Sequence, residues 1–166
     1  MGFSAIDGLP MSTRCGAIDP DILFFLMRVG KHSAAEIETL LYKKSGLLGL
    51  SGISGDMRAL TESKAPAATE AIDYFVYHIA KFAGAYTAVL GGLDAFVFTA
   101  GIGENDSSLR AAVVQKLSWL GAKLDAEAND RNGPRISTAD SKVSVWVIPT
   151  NEELMIAQHT ATLVGA

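Results

Sequence analysis

Two short apolar runs constrain this chain more than any other feature: residues 94–100 (DAFVFTA) and residues 143–148 (VSVWVI). Both are rich in aromatic and β-branched residues, and each leads directly into a turn and then a helical pattern, as buried parallel strands do. The order strand–turn–helix–strand–turn–helix, preceded by helices, predicts an α/β sheet layered by helices. Two strands are too few for an independent sheet. The first ten residues are the candidate for a third strand, and the remainder of the sheet is expected to lie outside the chain. The reading is a helix-rich α/β domain with an incomplete sheet.

The helices announce themselves by their ends. Asp19 is placed to cap a first helix with Pro20 in its first position, and its body from Ile22 to Val29 is apolar nearly all round, which predicts burial on most faces. Ser33 and Glu36 match a capping box for a second helix, which closes with Lys43 and Lys44 before Gly46. Residues 47–64 hold three glycines and read as loop or short turns. After Pro66, the spacing of Ile72, Phe75, Val76, Ile79, Ala83, Tyr86, Val89 and Leu90 predicts one long helix with a core-facing stripe, stopped by Gly91-Gly92. Asp106 or Ser107 caps a helix bearing Leu109, Val113, Leu117 and Leu120. The polar stretch around residues 129–140 reads as loop, and Asn151 starts the last helix.

Composition excludes several functions. The chain has 166 residues, 49% of them hydrophobic, and a formal net charge of -4. That is ample for a packed core, and the acidic balance argues against nucleic acid as the main partner, which would need a basic face. A single cysteine, Cys15, makes neither an internal disulfide nor a cysteine-rich zinc site. No apolar run is long enough for a membrane span, and the N-terminus lacks the pattern of a signal peptide. A cytoplasmic location fits. His32, His78 and His159 lack metal-ligand spacing and are assigned no role; Cys15, Ser107 and Ser108 are read as packing or caps.

Four segments could carry chemistry. In residues 101–105, Gly101, Ile102, Gly103, Glu104 and Asn105 link a strand to a helix. Glycines there admit a ligand close to the backbone, or simply make a tight βα turn. The sixth position is Asp106, so the G-x-G-x-x-G pattern of a dinucleotide site fails. Glu152 and Glu153 follow the second strand. They either complement a helix dipole or place a carboxylate where α/β sheets bind ligands. Arg14, in MSTRCGAIDP, offers either a surface ion pair or a fork of donors for a phosphoryl group. Asp56, Met57 and Arg58 offer a carboxylate and a planar cation in a glycine-rich stretch.

Taken in order, GLPMSTRCGAIDP, SGISGDMRAL, VFTAGIGEN and VIPTNEELMIA resemble the acetate kinase family along essentially the whole chain. The resemblance implies part of a ribonuclease-H-like domain of the sugar kinase/actin-like ATPase superfamily. It corresponds to the C-terminal nucleotide-binding domain over residues 1–166, without its first strands. The family's HLGNG phosphate segment and its amino-terminal acetate pocket have no match here. By position, Arg14 resembles the arginine that stabilises the transferring phosphoryl group, Asp56–Arg58 a nucleotide-binding segment, Gly101–Asn105 the loop around the adenosine, and Glu152 the magnesium-associated glutamate. The implied reaction is ATP plus acetate to ADP plus acetyl phosphate, with Mg2+ and a homodimeric assembly. Ala17 stands where the family often has Asp (TRxGDxDP). A different class of reading remains beside it: a non-catalytic nucleotide-binding or dimerisation module, whose unfinished sheet and apolar helices leave an interface exposed.

Overall fold

The computed structural model describes residues 2–165, with Glu152 described in its backbone alone. The chain divides between Tyr86 and Thr87 into two compact units.

The first unit is helical: α1 (Asp21–Arg28), α2 (Ala34–Lys43), α3 (Gly46–Ser51), α4 (Met57–Glu62) and most of α5 (Pro66–Leu90). Local signals place the first two. The Asp19 carboxylate accepts the Asp21 N–H at 2.9 Å, and Pro20 already has helical dihedrals. In α2 the Ser33 hydroxyl accepts from the Glu36 N–H while the Glu36 carboxylate accepts from the Ser33 N–H, completing the capping box. Those bonds hold the Glu36 carboxyl below its ordinary pKa.

Residues 47–64, expected to be loop, contain α3 and α4 instead. Each has six residues, too few for a 3.6-residue period to show. Burial stabilises them in place of propensity: Leu47, Met57 and Leu60 are all in the core, and each such side chain contributes about 1.5–3 kcal/mol. In α5 the predicted stripe holds through Phe75 and Val76, which are buried with Ala68 and Ala71. It fails at the C-terminal end, where Tyr86, Val89 and Leu90 are exposed. α1 departs furthest from expectation. It has no buried residue, and Phe24 and Phe25 are each 55% exposed.

In the second unit β1 (Ala95–Phe98) and β2 (Ser144–Val147) pair in parallel, Ala95 opposite Ser144 and Phe98 opposite Val147. α6 (Ala100–Asn105), α7 (Ser107–Lys116), a 3-10 turn and α8 (Ala126–Asp130) lie between them in sequence, and α9 (Glu152–Val164) follows β2. Residues 2–10 contain no strand, so the expected third strand is not found among the described residues. β2 buries Val145 and Val147, but β1 buries only Phe98 and leaves Val97 exposed. A fully buried β1 was the expectation; its second face is uncovered in this chain.

The stretch expected as loop around residues 129–140 is also more ordered than its composition suggests. α8 occupies its start, and Leu124 bridges Ser137 while Arg135 bridges Trp146, both antiparallel. The Ile136 N–H donates to the Val145 carbonyl at 2.8 Å and its side chain is fully buried. On α7, Leu109 and Val113 are buried as expected, followed by Leu117 just past its end.

Candidate functional site

Arg14 is carried on a segment held almost entirely by backbone hydrogen bonds. The Leu47 and Leu48 N–H groups donate to the Met11 and Ser12 carbonyls, Ser45 N–H to Thr13, and Cys15 N–H to Leu41. Gly46 makes this approach possible. It sits at φ +60, and a Cβ there would lie 2.0 Å from the Met11 oxygen. The Arg14 guanidinium donates to the Ala5 carbonyl at 2.9 Å and takes part in no ion pair among the described residues. The surface-ion-pair alternative is therefore not realised among the described residues.

Gly55 sets the next segment against the same wall, since a Cβ at Gly55 would lie 2.7 Å from the Ser12 oxygen. Of the three residues that follow, Met57 is buried in the core, whereas Asp56 and Arg58 are exposed. The Asp56 carboxylate caps α4 by accepting the Arg58 N–H at 2.9 Å. Asp56 and Arg58 are thus available to a ligand, while Met57 serves packing.

In the second unit the segment 101–105, expected to be a turn, is the short helix α6. It opens from Ala100, whose φ of +59 is left-handed, a conformation that costs a non-glycine residue about 1–2 kcal/mol and that gathers at ligand-contacting turns. Because β1 and β2 are parallel, their carboxyl ends are neighbours. The Thr99 and Thr150 hydroxyls hydrogen-bond to each other, and the Glu104 carboxylate accepts the Thr150 N–H at 2.9 Å. Ala100, Gly101, Glu104, Thr150, Asn151 and Glu153 line a cavity of about 420 Å³ at this edge. Ligands bind outside the carboxyl ends of strands in open α/β sheets. Glu152 opens α9, where the Asn151 side chain accepts the Leu154 N–H at 2.9 Å; the Glu152 side chain lies outside the described residues. Among the described residues no group of three or more His, Cys, Asp or Glu is arranged to hold a metal ion.

Arg14 and Asp56–Arg58 thus belong to the first unit, and Gly101–Asn105 with Glu152 to the second. Sequence reasoning missed one residue of consequence. Arg110 is fully buried and donates to the Gly103 and Glu104 carbonyls of α6, both at 3.0 Å. Its signal was present: Arg110 shares one helix face with Val113, Val114 and Leu117, so it interrupts an apolar stripe. Burial lowers its pKa, opposed by the charges of Asp106 and Asp130.

A profile described as the Acetokinase family matches residues 1–158. An acetate kinase of Rhodopseudomonas palustris is 55% identical over 161 residues, which cover 96% of this chain and 40% of that protein. An acetate kinase of Rickettsia felis is 51% identical over 159 residues, 96% of this chain and 41% of the relative. In solved structures, the acetate kinase of Porphyromonas gingivalis superposes with a TM-score of 0.90 at 41% identity, covering 99% of this chain and 43% of that one. A propionate kinase from Francisella tularensis gives 0.90 and 41%, covering 95% and 41%. The chain spans about two fifths of the length of the curated relatives it matches.

Proposed function

Because the chain belongs to the acetokinase family, we propose that it is the C-terminal, nucleotide-holding domain of a cytoplasmic carboxylate kinase that interconverts ATP plus acetate with ADP plus acetyl phosphate. The observation that carries this reading is the meeting of α6 with the segment after β2. Glu104 is tied to Thr150 at the carboxyl edge of a parallel strand pair, beside a cavity lined by the acidic Glu104 and Glu153 and the polar Thr150 and Asn151. Such a lining suits the hydroxyl and amino donors of a nucleoside. Asp56 and Arg58 offer the same mixed chemistry in the other unit.

In the forward reaction an acetate oxygen attacks the γ-phosphorus of ATP. The bond from that phosphorus to the ADP oxygen breaks, and its electron pair leaves with ADP. Such a transfer needs positioning and charge neutralisation more than a covalent protein intermediate. Arg14 supplies the neutralisation. Its rigid fork matches phosphoryl oxygens, and its backbone is fixed by the contacts around Gly46. Magnesium fits the donors at the second site, because Mg2+ takes one or two protein carboxylates and leaves the rest of its shell to phosphate and water. Glu152, with Glu153 beside it in sequence, would supply that carboxylate, and the bound ion would neutralise phosphate charge.

Replacing Arg14 with alanine, in the protein as its gene encodes it, should lower kcat by about a hundredfold or more, as loss of a transition-state donor does. Acetyl phosphate formation is the measurement, and a rate within threefold of the unmodified enzyme (roughly 0.6 kcal/mol) removes Arg14 from the mechanism.

A second reading, self-association through this chain, is favoured by α1, whose Phe24 and Phe25 are exposed along with Val29 just past its end. Sedimentation combined with ADP titration separates the two readings: association without ADP affinity supports an interaction module.

A further inference from the structure

Arg110 lies outside every segment assigned to the nucleotide, yet it is the largest fully buried side chain among the described residues. A guanidinium carries five N–H donors, and here five acceptors meet them. Nε donates to Asn129 Oδ1 at 2.8 Å, one terminal nitrogen to the Gly103 and Glu104 carbonyls at 3.0 Å each, and the other to the Asn129 carbonyl at 2.8 Å and Asn132 Oδ1 at 2.5 Å. None is a carboxylate. A buried cation without an ion-pair partner is costly unless its donors are satisfied, so what it holds in place bears on its purpose.

Two of the five bonds go to the C-terminal carbonyls of α6. A six-residue helix is far below the length that is stable alone, and its last carbonyls have no partner within the helix. Here the Gly101 carbonyl accepts from the Asn105 side chain, Ile102 from the Asp106 N–H, and Gly103 and Glu104 from Arg110. The positive charge also suits that end of the helix dipole. Asn129 extends the network by donating to the Ser107 carbonyl at 2.9 Å, which ties the start of α7 into it.

We propose that Arg110 is a positioning residue for nucleotide binding: from the core of its unit it fixes the peptide planes of Gly103 and Glu104, and through them the Glu104 carboxylate at Thr150. This rests on the nucleotide reading of residues 101–105 given above. It predicts a split that a merely structural arginine would not produce. In the protein as its gene encodes it, Arg110→Met should weaken ADP binding and raise the KM for ATP by about tenfold, with the KM for acetate within about twofold. Amide exchange of residues 100–105 should quicken.

Asn132→Gly is the milder variant. Asn132 has φ +51, which glycine adopts without strain, so only one acceptor is lost; ADP affinity should fall by about twofold. ADP titration by calorimetry reads both variants. If Arg110→Met folds, an unchanged ADP affinity overturns the proposal; if it does not fold, an unchanged affinity in Asn132→Gly does so. Failure of the unmodified protein to bind ADP is a different result: it removes the nucleotide reading itself, and the positioning role with it.

Discussion

Gly46 shows how a single residue carries a site it does not touch chemically. Its left-handed φ of +60 and missing Cβ let the Met11 and Arg14 carbonyls close onto the start of α3. Alanine at this position meets both a strained dihedral and a backbone clash that no rotamer relieves. Gly46→Ala is expected to destabilise the fold by about 2–4 kcal/mol, combining backbone strain with overpacking. Chemical denaturation measures it, and a loss below about 1 kcal/mol would mean that the 11–15 segment readjusts at little cost. The glycine-rich character of this stretch was legible in the sequence. Which glycine faced which carbonyl was not, because Met11 and Gly46 are distant in the chain and no local pattern links them.

At the scale of elements, α5 combines a correct expectation with an overlooked residue. Its first turns bury the predicted stripe, but His78, assigned no role from sequence, is buried too, with an unpartnered Nδ1 and with Tyr74 and Tyr77 packed against its ring. Burial, with Lys81 nearby, pushes its pKa down. The folded state therefore favours neutral imidazole, while the unfolded chain takes up a proton near pH 6.5. Stability from this residue is present above about pH 6.5 and is lost as pH falls below that value. His78→Phe should flatten the decline in Tm between about pH 7 and pH 5. An acid limb of unchanged slope would assign the loss to other groups.

For the whole molecule the uncovered surfaces matter most: α1, the C-terminal end of α5, one face of β1 and nearly all of α9. Exposed apolar surfaces of this kind are suited to protein contacts, and no helix among the described residues is long and apolar enough to cross a membrane. On the proposed function, the 166-residue chain expressed alone binds ADP but does not turn over. Acetyl phosphate production by the pure chain, above its boiled control, would contradict that.

The amino-acid order by itself determined the family, the two strands and the caps at Ser33, Asp106 and Asn151. Strand runs and caps are set by neighbours within a few residues, and the four family segments are contiguous words. The tertiary structure alone decided that residues 47–64 and 101–105 are helical, that Met57 packs inward and that Arg110 anchors α6. Helices of six residues are stabilised by distant burial and not by their own period. A buried arginine is tolerated only where acceptors from Gly103 to Asn132 converge on it, and convergence across that span is a property of the folded chain.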